Sequence, residues 1–122
     1  MSEKLIGIDT DILVHMLDSA DPHKHGRALE ILDEIHNHPE RFVISIQVYG
    51  EISSVISSKY PQLSSLRDDL IRFLFSRVGA VHYTISEILL AGAHRRFWDA
   101  VLAYTYIRAG ADTIYTENVR DF

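Results

Sequence analysis

Apolar residues in this chain come in short runs that alternate with longer stretches of helical period. Leu5-Ile6-Gly7-Ile8 reads as a strand, and a helix opens near Asp21-Pro22, where Asp can cap and Pro suits the first helical position. Its apolar stripe is Ala28, Leu29, Leu32 and Ile35. After a break at Asn37 to Glu40, Phe42-Val43-Ile44 predicts a second strand. Val48, Ile52, Val55 and Ile56 then mark one helix, and Leu63, Leu66, Leu70, Phe73 and Leu74 another. Ala80 to Tyr83 predicts a third strand, followed by Thr84-Ile85-Ser86-Glu87, the Thr-x-x-Glu pattern of a capping box. A helix runs from about Trp98 to Arg108 with Trp98, Val101, Leu102 and Thr105 on one face, and Gly110 stops it. Asp112 to Tyr115 predicts a fourth strand. Strands alternating with helices imply an α/β fold, with a parallel sheet covered by helices on both faces.

Composition narrows this to one domain over residues 1–122, since 122 residues suffice for one core and not for two. The net charge of −5 supplies no global positive field, so nucleic acid would need a local patch. With no cysteine there is no disulfide framework, thiolate zinc site or cysteine nucleophile. No secretory leader pattern precedes the first strand, and no uncharged stretch is long enough to span a membrane. The cytoplasm is therefore the expected location.

Carboxylates occupy telling places in this alternation. Asp9 is the first residue past the first strand, and Glu51 lies at the border of the buried stripe of the helix after the second. Asp99 opens the helix before the fourth strand, sharing a stripe with Leu102, Ala103 and Tyr106. Glu117 and Asp121 lie in the tail where the fourth strand ends. In open α/β sheets ligands bind outside the carboxyl ends of the strands, so these acids can meet at one rim. Singly, each has a plainer role: Asp9 or Thr10 capping a short helix through Leu17, Glu51 and Asp99 solvated, Asp121 closing a turn. Jointly, like charges at a half-buried rim are best explained by a cation that neutralises them, and hard oxygen ligands suit Mg²⁺ or Mn²⁺.

The segments carrying these acids resemble the PIN-domain ribonucleases. Ile6-Gly7-Ile8-Asp9-Thr10-Asp11-Ile12-Leu13-Val14 is similar to the family's opening strand and Asp-Thr-Asn motif, with Asp11 where Asn is usual. Ser45-Ile46-Gln47-Val48-Tyr49-Gly50-Glu51 resembles its second segment, and Phe97-Trp98-Asp99-Ala100-Val101-Leu102-Ala103 its third. Ala109 to Asn118, with Asn118-Val119-Arg120-Asp121-Phe122, is similar to its Asn-x-x-Asp-Phe ending. Small toxins of the VapC type, held inactive by an antitoxin, are especially close.

The resemblance implies a three-layer α/β/α fold with strand order 3-2-1-4, or 3-2-1-4-5 where the tail adds a strand. It implies a metal-dependent endoribonuclease in which Asp9, Glu51, Asp99 and a tail acid, Glu117 or Asp121, hold Mg²⁺ or Mn²⁺ and leave a 3′-hydroxyl and a 5′-phosphate. Thr10, Thr116 and Asn118 would orient these groups, and Arg95 and Arg96 are candidate RNA phosphate contacts, read equally well as a solvated helix connection. Asp11 would either join the metal site as an extra acid or cap a helix, and the cap is the favoured reading. Expected partners are RNA, an antitoxin and a second copy in a homodimer, with no membrane. His23-Lys24-His25 and His36-Asn37-His38 are read as solvated, and of Tyr104 and Tyr106, which could stack bases, at least one is expected in the core or a dimer contact.

Competing readings differ in their requirements. A haloacid-dehalogenase-type phosphatase needs a downstream lysine and an acidic pair, and a response-regulator receiver needs an Asp after the third strand and a late lysine; the only lysines are Lys4, Lys24 and Lys59. A PIN-like module that binds RNA or protein with little catalysis predicts a lost acid, and none is lost.

Overall fold

The computed structural model describes residues 4–117 together with the backbone of Arg120 and Asp121. Strand β1 (Ile6–Ile8) leads into α1 (Thr10–Leu17) and α2 (Pro22–Asn37), and β2 (Phe42–Val43) leads into α3 (Ile46–Lys59) and α4 (Ser64–Val78). After α5 (Ile85–Ala91) and α6 (Phe97–Arg108) the chain returns through β3 (Thr113–Tyr115) and β4 (Arg120–Asp121). The sheet order is β2-β1-β3-β4, with β1 parallel to both neighbours and β4 antiparallel to β3. Thus the sheet is not uniformly parallel. Only four residues separate the two-residue tail strand from β3, too few for the crossover that a parallel pairing needs.

The predicted third strand contracts to a single parallel bridge between Ser45 and Val81. Val81 takes the N–H bond of Ile46 and gives its own N–H to Ile44, extending the sheet beyond β2 in the expected order. Only one register position pairs because Thr84 already opens α5 through its capping box with Glu87.

Local capping sets the helix starts. Asp9 caps α1, Asp21 accepts from the N–H groups of His23 and Lys24 at α2, and Ser45 accepts from Gln47 at α3. Gly79 leaves α4 at φ 74° and Gly110 leaves α6 at φ 92°, a left-handed backbone that glycine adopts without strain.

All three residues of β1 are buried, as a strand covered on both faces requires. The core gathers Ile8, Leu13, Ile31, Ile35, Ile44, Ile52, Ile56, Leu74 and Tyr106. Three stripe assignments need correction. Leu29 is 42% exposed while Ile31 is buried in its place, Leu66 is 55% exposed, and Trp98 is 51% exposed although Val101, Leu102 and Thr105 are buried. Trp98 sits in the first turn of α6, where the helix overhangs a cleft rather than the core. Among the described residues no helix is long and apolar enough to cross a membrane.

Candidate metal centre

Gly7 makes the rim possible. A Cβ there would lie 2.4 Å from the Tyr106 ring, so only glycine lets α6 approach β1 this closely. The Tyr106 hydroxyl donates to the Ile8 carbonyl and accepts from the Ser45 N–H at 3.0 Å. One buried phenol thereby joins the end of β1, the start of α3 and the body of α6, the three segments that carry Asp9, Glu51 and Asp99. Tyr106 is therefore a core residue and not a base-stacking one; Tyr104 pairs instead with His94 through its hydroxyl.

Asp9 follows β1, its N–H bonded to the Tyr115 carbonyl and its carboxylate accepting from the Thr10 N–H at 2.7 Å. It is cap and rim residue at once. Burial pushes its pKa up to about 6; the Thr10 bond opposes this, and the charges of Asp11, Glu51 and Asp99 add to it. Glu51 and Asp99, distant in sequence, thus lie close enough to add to the cost of ionising Asp9. None of Asp9, Glu51 and Asp99 has a cationic partner among the described residues.

Both Glu51 oxygens are held. Oε2 accepts from the Thr10 hydroxyl at 2.9 Å, and Oε1 accepts from Gln47 Nε2 at 2.8 Å. Gln47 Nε2 also donates to the Trp98 carbonyl at 3.0 Å, tying α3 to the first turn of α6. Gln47 was not singled out in the sequence, although it lies one turn before Glu51 on the same helix face. A cleft of about 610 Å³ opens here, lined by Gln47, Glu51, Ser54, Tyr83, Trp98 and Asp99 among others.

Asp11 does not cap α1, a role that Asp9 fills. Its Oδ2 accepts the N–H of Glu117 at 3.0 Å, fastening the tail to α1. Burial and then the Glu117 charge raise its pKa, against the Glu117 and Ile12 N–H bonds and His15. Its Oδ1 is buried without a partner among the described residues.

Glu117 turns elsewhere: its Oε1 meets His15 Nε2 at 2.7 Å and Lys24 Nζ at 3.4 Å. The His15 hydrogen bond, and after it that of Lys24, hold its carboxyl below the ordinary range. His15 was overlooked in the sequence; one turn after Asp11 on α1, it shares that acid's face. Thr116 follows β3, while Asn118 and the side chain of Asp121 lie outside the described residues. Arg95 and Arg96 are exposed, without an ion pair among the described residues, directly before α6.

Among the described residues no three His, Asp or Glu side chains draw together tightly enough to hold an ion as they stand. Carboxylates lacking a counter-charge repel, and here Thr10 and Gln47 take the Glu51 oxygens. The donor set nevertheless fits a hard divalent cation. It offers oxygen ligands near Asp9, a surplus of negative charge with no cation paired to Asp9, Glu51 or Asp99 among the described residues, and an orphaned buried oxygen on Asp11.

The family model of the PIN domain matches residues 6–122, from β1 to the end of the chain. The chain belongs to the PIN domain family. Among solved structures, this PIN domain is similar to the crystal structure of Mycobacterium tuberculosis VapC20, a Sarcin-Ricin loop cleaving toxin. The TM-score is 0.71 at 20% identity, covering 91% of this chain and 88% of that one. That likeness is one of fold. A comparison with curated proteins finds no sequence match.

Proposed function

We propose that this PIN domain is a divalent-metal-dependent endoribonuclease of the toxin type. The observation that carries the reading is Asp9 at the end of β1, whose ionisation is opposed first by burial and then by Asp11, Glu51 and Asp99, with no cation paired to Asp9, Glu51 or Asp99 among the described residues. Asp9, Glu51 and Asp99 would hold Mg²⁺ or Mn²⁺, with a tail acid, Glu117 or Asp121, completing the set. When bound, such an ion lowers the pKa of its water and offsets charge building on the phosphate.

The chain's own residues do the rest. Thr10 and Gln47 fix the Glu51 carboxylate from both sides, and the Thr10 N–H fixes that of Asp9. Thr116 and Asn118 would support the tail acid. Exposed Arg95 and Arg96 would meet backbone phosphates, the local positive patch that a net charge of −5 makes necessary. The fold shared with an RNA-cleaving toxin favours RNA as substrate and an antitoxin as inhibitor, acting in the cytoplasm. Exposed Ile85, Leu89 and Leu90 on α5 and Ile107 on α6 favour a homodimer.

Incubation with single-stranded RNA and Mg²⁺ or Mn²⁺ tests the reading. Cleavage that a chelator stops and added metal restores is the expected result, with 5′-phosphate and 3′-hydroxyl ends. Cleavage indifferent to chelator, or none by any preparation, overturns it; binding without cleavage would leave a PIN-like binding module.

A further inference from the structure

The cleft that holds Glu51 and Asp99 has an aromatic wall that the metal-centred reading leaves unused. Trp98 is 51% exposed and borders the cleft with Tyr83. Its indole is set edge-to-face against Tyr83, centroids 5.8 Å apart at 72°, and against Phe97, 5.0 Å apart at 80°. Its carbonyl accepts from Gln47 Nε2, the same nitrogen that holds Glu51. The ring is thus positioned by neighbours and open to the cleft. Three and two residues before it stand Arg95 and Arg96, exposed and without an ion pair among the described residues, and directly after it Asp99.

We infer that the indole of Trp98, backed by Tyr83, is a stacking platform for one unpaired nucleobase of the RNA strand seated across Glu51 and Asp99. This rests on the ribonuclease reading for its substrate and goes beyond it in naming the group that orients the strand. Residues 95 to 99 then supply two guanidinium groups for phosphate, one indole for the base and a carboxylate at the reacting end, with Tyr83 behind the indole. Stacking on an aromatic face is tolerant of sequence but requires the base to be free of a partner strand. A paired stem would leave the platform empty. Trp98 is a positioning residue in this scheme, and the chemistry stays with the carboxylates.

Trp98 is the chain's single tryptophan, so its emission reports this site alone. The protein is titrated with a short single-stranded adenine-rich RNA in Ca²⁺, following indole emission and, separately, the anisotropy of labelled RNA. The expected result is quenching that tracks binding with single-stranded RNA and is absent with the same sequence as a duplex. Trp98→Leu should bind roughly 5- to 150-fold more weakly, the range for losing one stacked base, while Trp98→Phe retains most of the binding. RNA that binds with unchanged emission, or a Trp98→Leu variant that binds as wild type, overturns the inference. So does an emission shift that follows protein concentration without RNA, which would mean that a second copy covers the ring. A parallel cleavage assay separates the two readings: quenching without cleavage leaves the platform and removes the nuclease, and cleavage without quenching does the reverse.

Discussion

The ring of Tyr106 occupies the space where a side chain at Gly7 would begin, 2.4 Å from an ideal Cβ. Tyr106 is fully buried and cannot swing aside, so Gly7→Ala must shift α6 against β1. Such overpacking costs about 1–3 kcal/mol, or more where backbone has to move. Tyr106→Phe keeps the ring but leaves the Ser45 N–H and Ile8 carbonyl short of a partner, costing about 1–3 kcal/mol. Urea denaturation measures both; a loss below about 0.5 kcal/mol in each would contradict this packing.

The pH dependence of stability carries the signature of the crowded acids. Asp9 has a folded pKa of about 6 against 3.8 in the free residue. Between those values the folded chain keeps a proton that the unfolded chain releases. The stability tied to this group is therefore complete below about pH 4 and is lost as pH rises through 6, by at most about 3 kcal/mol before solvent screening. Asp9→Asn, which retains an oxygen for the Thr10 N–H, should flatten this fall. In chelator at pH 7 the variant should be the more stable protein; a variant less stable than wild type would contradict the assignment.

Metal should act in the opposite sense. Added Mg²⁺ or Mn²⁺ should raise the melting temperature of the wild type by mass action and leave Asp9→Asn little changed. Thr10→Val removes the hydroxyl that holds Glu51 Oε2. Its metal affinity, measured by calorimetry, should fall roughly 10- to 100-fold, as for groups that orient a ligand. Equal affinity in Thr10→Val and wild type would remove Thr10 from this role.

The tail acids should separate by function. His15 and Lys24 already engage Glu117 Oε1, and its carboxyl is held below the ordinary range. Glu117→Gln should therefore lower cleavage by less than about tenfold, while loss of a true ligand costs far more. A collapse of activity in Glu117→Gln with full activity in Asp121→Asn would contradict this and give the fourth position to Glu117.

The fold was legible in the sequence wherever a pattern repeats along one element. β1, β2, β3, the α2 cap at Asp21 and the Thr84–Glu87 capping box follow from periodicity and cap chemistry. What escaped depends on three-dimensional neighbours. Val81 pairs at one position only because α5 opens at Thr84, and Trp98 leaves the buried face because the first turn of α6 overhangs a cleft. Asp11 looked like a cap because its alternative partner, the Glu117 N–H, is 106 residues away. The acids Asp9, Glu51 and Asp99 were visible as strand-end and helix-face positions. The bonds that orient them, from Thr10 and Gln47, were visible only in part, since Gln47 reads as an ordinary polar helix residue.

In the proposed reaction Asp9, Glu51 and Asp99 act together on RNA through a divalent ion. Asp99 tests it most directly, because it is exposed and its change to Asn disturbs no core contact. With saturating Mg²⁺ or Mn²⁺ and single-stranded RNA, kcat/KM for Asp99→Asn should fall on the order of 10² to 10³-fold at unchanged Tm. A kcat/KM equal to that of the wild type would contradict the account.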